Sequence, residues 1–241
     1  MITGIVVALP EEIGSLTAHQ IRRGERIFIH DSLLVTCSGA GPLNAGFAAE
    51  QLIAHGAQRL ISWGCAAALD PQLKPGDLVL ATQLLADDGT AMAITHAWQQ
   101  HTQQLLAQQV PLRTGTLLES VGIVSHAHAK QSLFAASQAV ALDMESVAIA
   151  RVAQQHALEF LAIRAIADPA SLSLPLAVSH AMNAAGEMDI RKLLIYIVQH
   201  PSEIPALIKL GLHFNAAKYT LKTVARQLDA ILACNEPSTL T

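Results

Sequence analysis

The chain predicts an α/β fold of three layers: a central, mostly parallel, twisted sheet with helices on both faces. Three observations carry that expectation. Short apolar runs alternate with helix-period segments from Ile2 to Asp168. Several of the runs are apolar at almost every position, as strands covered on both faces are. The length, 241 residues with 51% hydrophobic and only 14% charged side chains, is enough for one large core.

Taken in order, Ile2–Leu9 is a strand, and Pro10-Glu11-Glu12 can open a helix because proline is tolerated at its first position. Arg26–His30 and Leu33–Cys37 are strands on either side of Asp31-Ser32. Ser38-Gly39-Ala40-Gly41-Pro42-Leu43-Asn44-Ala45 is a glycine turn opening a helix that runs to about His55. Free N–H groups at such a turn can hold an anion or a sugar hydroxyl. The turn has neither the Gly-Lys-Ser/Thr of a P-loop nor the third glycine of a dinucleotide fingerprint, where Asn44 stands. Arg59–Trp63 is the next strand. It enters a small-residue stretch, Gly64 to Ala68, that lets a ligand approach the backbone. Leu78–Leu84 is a strand, residues 86–110 are a polar loop and a helix over His96–Gln109, and Leu112–Ser125 is a strand with turns.

The most informative stretch is Ala139–Ala170. Ala139–Leu142 and Phe160–Ala167 read as strands around an alanine-rich helix, and they end in Asp143-Met144-Glu145 and Asp168-Pro169. Ligands bind beyond the carboxyl ends of such strands. Two acids brought to one rim by adjacent strands can divide labour, one holding a hydroxyl and one handling a proton. Equally, Glu145 can be first-turn helix charge and Asp168 a turn cap. From Glu187 to Cys234 the chain reads as two or three helices broken at Pro201 and Pro205. The expected organisation is one domain over 1–241, with an α/β core at 1–185 and a helical extension at 186–234.

Composition excludes several classes. A net charge of −4 gives no global attraction to nucleic acid. Cys37, Cys65 and Cys234 have neither CxxC spacing nor an even count, which points to a reducing cytoplasm. Cys65 reads as a small packed thiol rather than a nucleophile. The first residues meet acids at once and lack a basic segment, unlike a signal peptide, and no apolar run is long enough to span a bilayer. His126 and His128, one residue apart, make a poor metal site and fit a pocket rim or solvent.

Four blocks together resemble the purine nucleoside phosphorylase/nucleosidase superfamily: GIVVALPEE (4–12), SGAGPLNA (38–45) with WGCAAALDPQLKPGDLVLAT (63–82), ALDMESVAIA (141–150) and AIRAIADPA (162–170). Their order spans roughly residues 2–170. The first and last blocks resemble the methylthioadenosine/S-adenosylhomocysteine nucleosidases. The helical tail, Leu69-Asp70-Pro71 before Lys74-Pro75-Gly76-Asp77, and the AIADPA phrase are more similar to the hopanoid-associated phosphorylases, which act on adenosylhopane.

The resemblance implies that Asp168 protonates the purine at N7, Glu145 binds the ribose hydroxyls and favours developing positive charge, and Glu12 activates water. It implies that Met144 packs under the sugar and that Gly39, Gly41, Gly64, Cys65 and Ala66 shape the sugar and base pocket; the residue reading adds His126 as a substrate-binding candidate on the rim. It implies no metal and no organic cofactor, an adenine nucleoside substrate, and a homo-oligomer of two or more subunits in the cytoplasm. Departures from the family pattern are Cys65 for serine, Ala66-Ala67-Ala68 for a more glycine-rich turn, and Ala167 for the serine before the acid. Ser62 stands where phosphorylases carry a phosphate-binding arginine, with Arg22, Arg23 and Arg113 as potential substitutes. The expectation is therefore hydrolysis, with phosphorolysis by phosphate and a silent nucleoside-binding module as the alternatives.

The tail carries one more expectation. Ile190, Leu193, Leu194 and Ile197 share a helical stripe, Leu207, Leu210, Leu212 and Phe214 surround Lys209, and Lys218, Lys222 and Arg226 follow at four-residue spacing. Apolar faces edged with cations suit a peripheral membrane contact and a lipid-linked substrate. They also suit simple coverage of the sheet or a subunit contact.

Overall fold

The computed structural model describes residues 1–94, 96–181 and 190–234. The chain order is β1 (Ile2–Val7), α1 (Pro10–Ile13), β2 (Arg26–His30), β3 (Leu33–Cys37), α2 (Pro42–Ala54), β4 (Ala57–Ala68), β5 (Leu78–Leu85) and β6 (Ala91–Ala93). There follow α3 (Ala97–Leu106), β7 (Leu112–Glu119), α4 (Ala127–Ser137), β8 (Ala141–Asp143), α5 (Ser146–Gln155) and β9 (Glu159–Asp168). The chain then continues through α6 (Leu176–Ala181), α7 (Ile190–Gln199), a 3-10 turn at Pro201–Glu203, α8 (Ile204–Ala225) and α9 (Leu228–Leu232). The expected core–extension boundary at 185/186 lies outside the described residues.

The strands form one mixed sheet. β1 lies between β3 and β4, parallel to both, and β4 is also parallel to β9. Strands β4, β8, β7, β5 and β9 pair in a closed ring, with β5 antiparallel to β9 and β8 antiparallel to β4. The layers follow from side-chain alternation along each strand. In β1, Val6 joins a core with Ala45, Ala49 and Leu52 of α2 and Val147, Ile149 and Ala153 of α5. Its neighbours Ile5 and Val7 join the opposite core with Trp98 and Leu106 of α3, Ala217, Leu221 and Val224 of α8, and Ile231 of α9.

Three features differ from the sequence expectation. β4 does not end at Trp63 but runs to Ala68, since the small residues after Gly64 let it pair with β8 on one side and β9 on the other. The strands that carry the two acids, β8 and β9, are not adjacent: both flank β4, one antiparallel and one parallel. The helix α4 and the three-residue β6 are additional elements, too weakly patterned to read from residues alone.

The tail divides in two. Ala217, Leu221 and Val224 of α8, not Leu207 to Leu212, seal the sheet. The outer half of α8 and the side of α7 leave Leu194, Ile195, Val198, Ile204, Ile208 and Leu212 exposed. Among the described residues, no helix is long and apolar enough to cross a membrane.

Candidate active site

The carboxyl ends of the parallel strands β1, β3, β4 and β9 meet at one rim, and the expected acids gather there. Glu12 lies in α1, directly after β1. Leu9 and Cys65 donate backbone N–H bonds to its two carboxylate oxygens, at 3.2 and 2.7 Å. Trp63 fixes this short helix from the sheet: its indole N–H donates to Ser15 Oγ, and Ser15 Oγ donates to the Glu12 carbonyl. Glu145 follows β8, and its Oε1 accepts the backbone N–H of Gly41 at 3.0 Å. Gly41 is the N-cap of α2, with φ of +94°, a conformation suited to glycine. The helix N-terminus that could have received an anion therefore holds the protein's own carboxylate.

Arg164 of β9 joins these acids. Its side chain is fully buried, with Nε 2.6 Å from Asp143 Oδ2 and Nη2 3.7 Å from Glu145 Oε2. Nη2 also donates to Ser62 Oγ at 2.6 Å and to Ser146 Oγ at 3.2 Å. Arg164 pairs in register with Gly64. A Cβ on Gly64 would come within 2.6 Å of Arg164 Nη1 and 2.8 Å of both Glu12 oxygens, so the missing side chain is the space in which guanidinium and carboxylate sit. Burial alone would lower the Arg164 pKa, but Asp143, Glu145 and Glu12 raise it above the usual value. Burial pushes Glu145 up to about 7, against the pull of Arg164, and it raises Glu12 as well. A carboxylate raised in this way is a better base near neutrality.

Asp168 ends β9, the strand that also carries Arg164, and lies opposite Ala67 of β4, where a register shift between Ala66 and Ala67 re-aims the end of the ladder. Its Oδ1 accepts from Lys130 Nζ at 2.6 Å. Burial raises the Asp168 pKa, and the Lys130 hydrogen bond and charge draw it back.

Of the other expected residues, Gly39 is buried in the turn before α2 and Gly64 and Ala66 are buried in β4, while Gly41, Met144 and Cys65 are half-buried. Burial drives the Cys65 thiol well above its ordinary pKa, which suits a packed thiol rather than a thiolate nucleophile. His126 is exposed at the start of α4 and makes no hydrogen bond to the three acids among the described residues. Ser62 is fully buried beneath the site as a partner of Arg164. Arg23 lies against the Gly39 turn and donates to Asn44 Oδ1 at 2.8 Å, whereas Arg113 is committed to Asp70. A separate cavity of about 470 Å³ lies between β6, α5 and the first residues of β9, at the other end of that strand from Asp168.

Residue-level reading missed Arg164, Lys130 and Asp143. One signal was present: Arg164 interrupts an otherwise apolar strand run, and a buried charge there requires partners.

Comparison with known proteins identifies the family. The family model described as the phosphorylase superfamily matches residues 3–195. The 5′-methylthioadenosine/S-adenosylhomocysteine nucleosidase of Staphylococcus aureus (strain JH9) is 25% identical over 197 residues, covering 70% of this chain and 86% of that protein. The same-named protein of Staphylococcus epidermidis is 26% identical over 161 residues, 59% of this chain and 71% of that one. Among solved structures, the Helicobacter pylori 5′-methylthioadenosine/S-adenosyl homocysteine nucleosidase superposes with a TM-score of 0.69 at 20% identity, covering 95% and 97% of the two chains. The futalosine hydrolase of the same organism gives 0.69 at 18% identity, covering 95% and 96%. The family match over residues 3–195, most of the chain, leads to one conclusion: this chain belongs to the phosphorylase superfamily.

Proposed function

We propose that the protein hydrolyses the N-glycosidic bond of an adenine nucleoside and releases adenine. The observation that carries this is the convergence of Glu12 and Glu145 on Arg164 beside Gly64, with Asp168 at the end of the same strand as Arg164. Cleavage needs a proton on the leaving purine, stabilisation of a cationic sugar and a nucleophile on its far face. Asp168 supplies the proton to N7, so that adenine leaves neutral. Glu145 holds the ribose hydroxyls and, as an anion, favours the oxocarbenium-like sugar. Glu12 takes the proton from the attacking water, and Arg164 beside it orients that water. Met144 packs under the sugar.

Water rather than phosphate is the nucleophile in this reading. Asp143, Glu145 and Glu12 already surround the Arg164 guanidinium, so a phosphate dianion placed against it would meet more negative than positive charge. The names of the relatives, nucleosidases of methylthioadenosine and S-adenosylhomocysteine and a futalosine hydrolase, favour the same chemistry.

The substrate we propose carries an apolar 5′ group, with adenosylhopane as the candidate. The exposed Leu194, Ile195, Val198, Ile204, Ile208 and Leu212 favour it, because α8 links that apolar surface to residues beside Asp168. With Arg191, Lys192 and Lys209 on the same helices, the surface suits an anionic bilayer. The oligomer proposed from the family resemblance would complete the pocket.

The test is a panel of adenosines varied at the 5′ position, assayed for free adenine and for the sugar product with and without phosphate. Adenine release in phosphate-free buffer, with a free reducing sugar and a preference for apolar 5′ groups, is expected. Strict phosphate dependence with a sugar 1-phosphate product would overturn the hydrolytic reading. Preference for small 5′ thioethers would replace the lipid substrate with a soluble one.

A further inference from the structure

α4 carries a single buried residue, and it is a lysine. Lys130 is fully buried, which is costly for an ammonium unless its donors are all used. They are: Nζ donates to Asp168 Oδ1 at 2.6 Å, Pro169 O at 3.1 Å and Leu172 O at 2.8 Å. Two of these bonds pin the turn after β9, which a neutral donor could also do. The third places a full positive charge on the acid at the end of β9.

We infer that Lys130 is the positioning residue for Asp168: it clamps Oδ1, leaves Oδ2 as the oxygen that meets the purine, and provides the positive charge against which the carboxyl becomes a carboxylate. The inference rests on Asp168 being the proton donor of the proposed reaction. The proton balance is simple. The Oδ2–H bond breaks and N7–H forms, while the C1′–N9 electron pair goes to the purine, which departs neutral. The charge left on Asp168 faces the Lys130 ammonium. Water forms its bond to C1′ and gives its proton to Glu12, and solvent returns a proton from Glu12 to Asp168.

Two opposing effects meet at this carboxyl. Burial raises its pKa and makes it a weaker acid, and the lysine opposes that. The third neighbour is His213 of α8, with Lys209 one turn before it on the same helix. Burial lowers the His213 pKa, and the Lys209 charge lowers it further, so near neutrality this imidazole is uncharged. Lys130 is thus the charged partner that decides the strength of the acid.

The experiment compares wild type with Lys130→Met. The expected result is a kcat lower by about 10–100-fold, a KM within about twofold, and an alkaline limb of the kcat profile moved to higher pH. Lys130→Gln keeps an N–H donor for the carbonyls without the charge, and serves if the methionine variant does not fold. Lys130→Arg retains the charge and should leave the limb where wild type has it. Isotope-edited carboxyl NMR, with the Asp168 signal identified by its loss in Asp168→Asn, reads the same shift without turnover. A higher Asp168 midpoint in the uncharged variants supports the inference even if no adenosine is cleaved, in which case only the proposed reaction fails. An unmoved Asp168 midpoint, with any loss of kcat tracking loss of thermal stability, would reduce Lys130 to a structural clamp and overturn the inference.

Discussion

Around Gly64, three carboxylates crowd one guanidinium, while at the end of β9 Asp168 has the ammonium of Lys130. The first cluster has negative charge in excess, so it stabilises a positive charge placed in it and resists a further anion. Burial makes Glu12 and Glu145 hold protons more tightly, Glu145 up to about 7. The second cluster is balanced, one acid against one cation. Its carboxyl can gain or lose a proton without leaving a large uncompensated charge in a buried place. A sugar that becomes cationic and a base that needs a proton call for these two environments, and β9 brings Arg164 to one and Asp168 to the other.

Each of the two environments can be removed by one substitution. The largest effect on turnover is expected from Asp168→Asn, whose amide cannot donate the proton, with adenine release falling by about 10²–10⁴-fold. An adenine assay beside a thermal melt checks it, and near-wild-type release would remove the proton-donor role from this environment. Next comes Arg164→Met, which takes away the shared cation and leaves buried carboxylates uncompensated. Urea unfolding should show a loss of about 3–5 kcal/mol. A loss under about 1 kcal/mol would mean that the acids around it are already neutral in the folded protein.

A pH experiment sharpens the same point. The Glu145 carboxyl is raised from 4.5 to about 7 by burial, so between those values the folded chain holds a proton that the unfolded chain has released. Its contribution to stability is full below about pH 4.5 and is lost as pH rises through about 7. Between about pH 5 and about pH 8 the Tm of wild type should therefore fall more steeply than that of Glu145→Gln. Parallel curves would show that this carboxyl is not perturbed. The smallest change is expected from Ser62→Ala, which removes one acceptor of the Arg164 guanidinium and should cost about 0.5–1.5 kcal/mol. A change in phosphate dependence in this variant would contradict the placement of Ser62 beneath the site.

The strands and most helices were legible because each signal is local. The run at Ile2–Val7 is apolar on both faces, Pro10 opens α1, and the Gly39–Gly41 turn opens α2, all at the places expected. The acids Glu12, Glu145 and Asp168 were likewise visible as carboxylates at strand ends. Weakly patterned pieces such as α4 and β6 were not, since neither presents enough apolar positions to set a period.

By itself, the sequence determined the alternation of strands and helices, the three acids and the family resemblance, because these depend on neighbours along the chain. Only the tertiary structure decided that β4 separates the two acid-bearing strands, that Arg164 serves Asp143, Glu145 and Glu12 together, and that Lys130 belongs to Asp168. Those pairings join residues from 19 to 152 positions apart, as the numbers of Arg164 and its carboxylates show (164 − 145 and 164 − 12). A charge buried in a strand declares that it needs a partner, but which partner it finds is set by sheet register and crossover, and those exist only once the chain has folded.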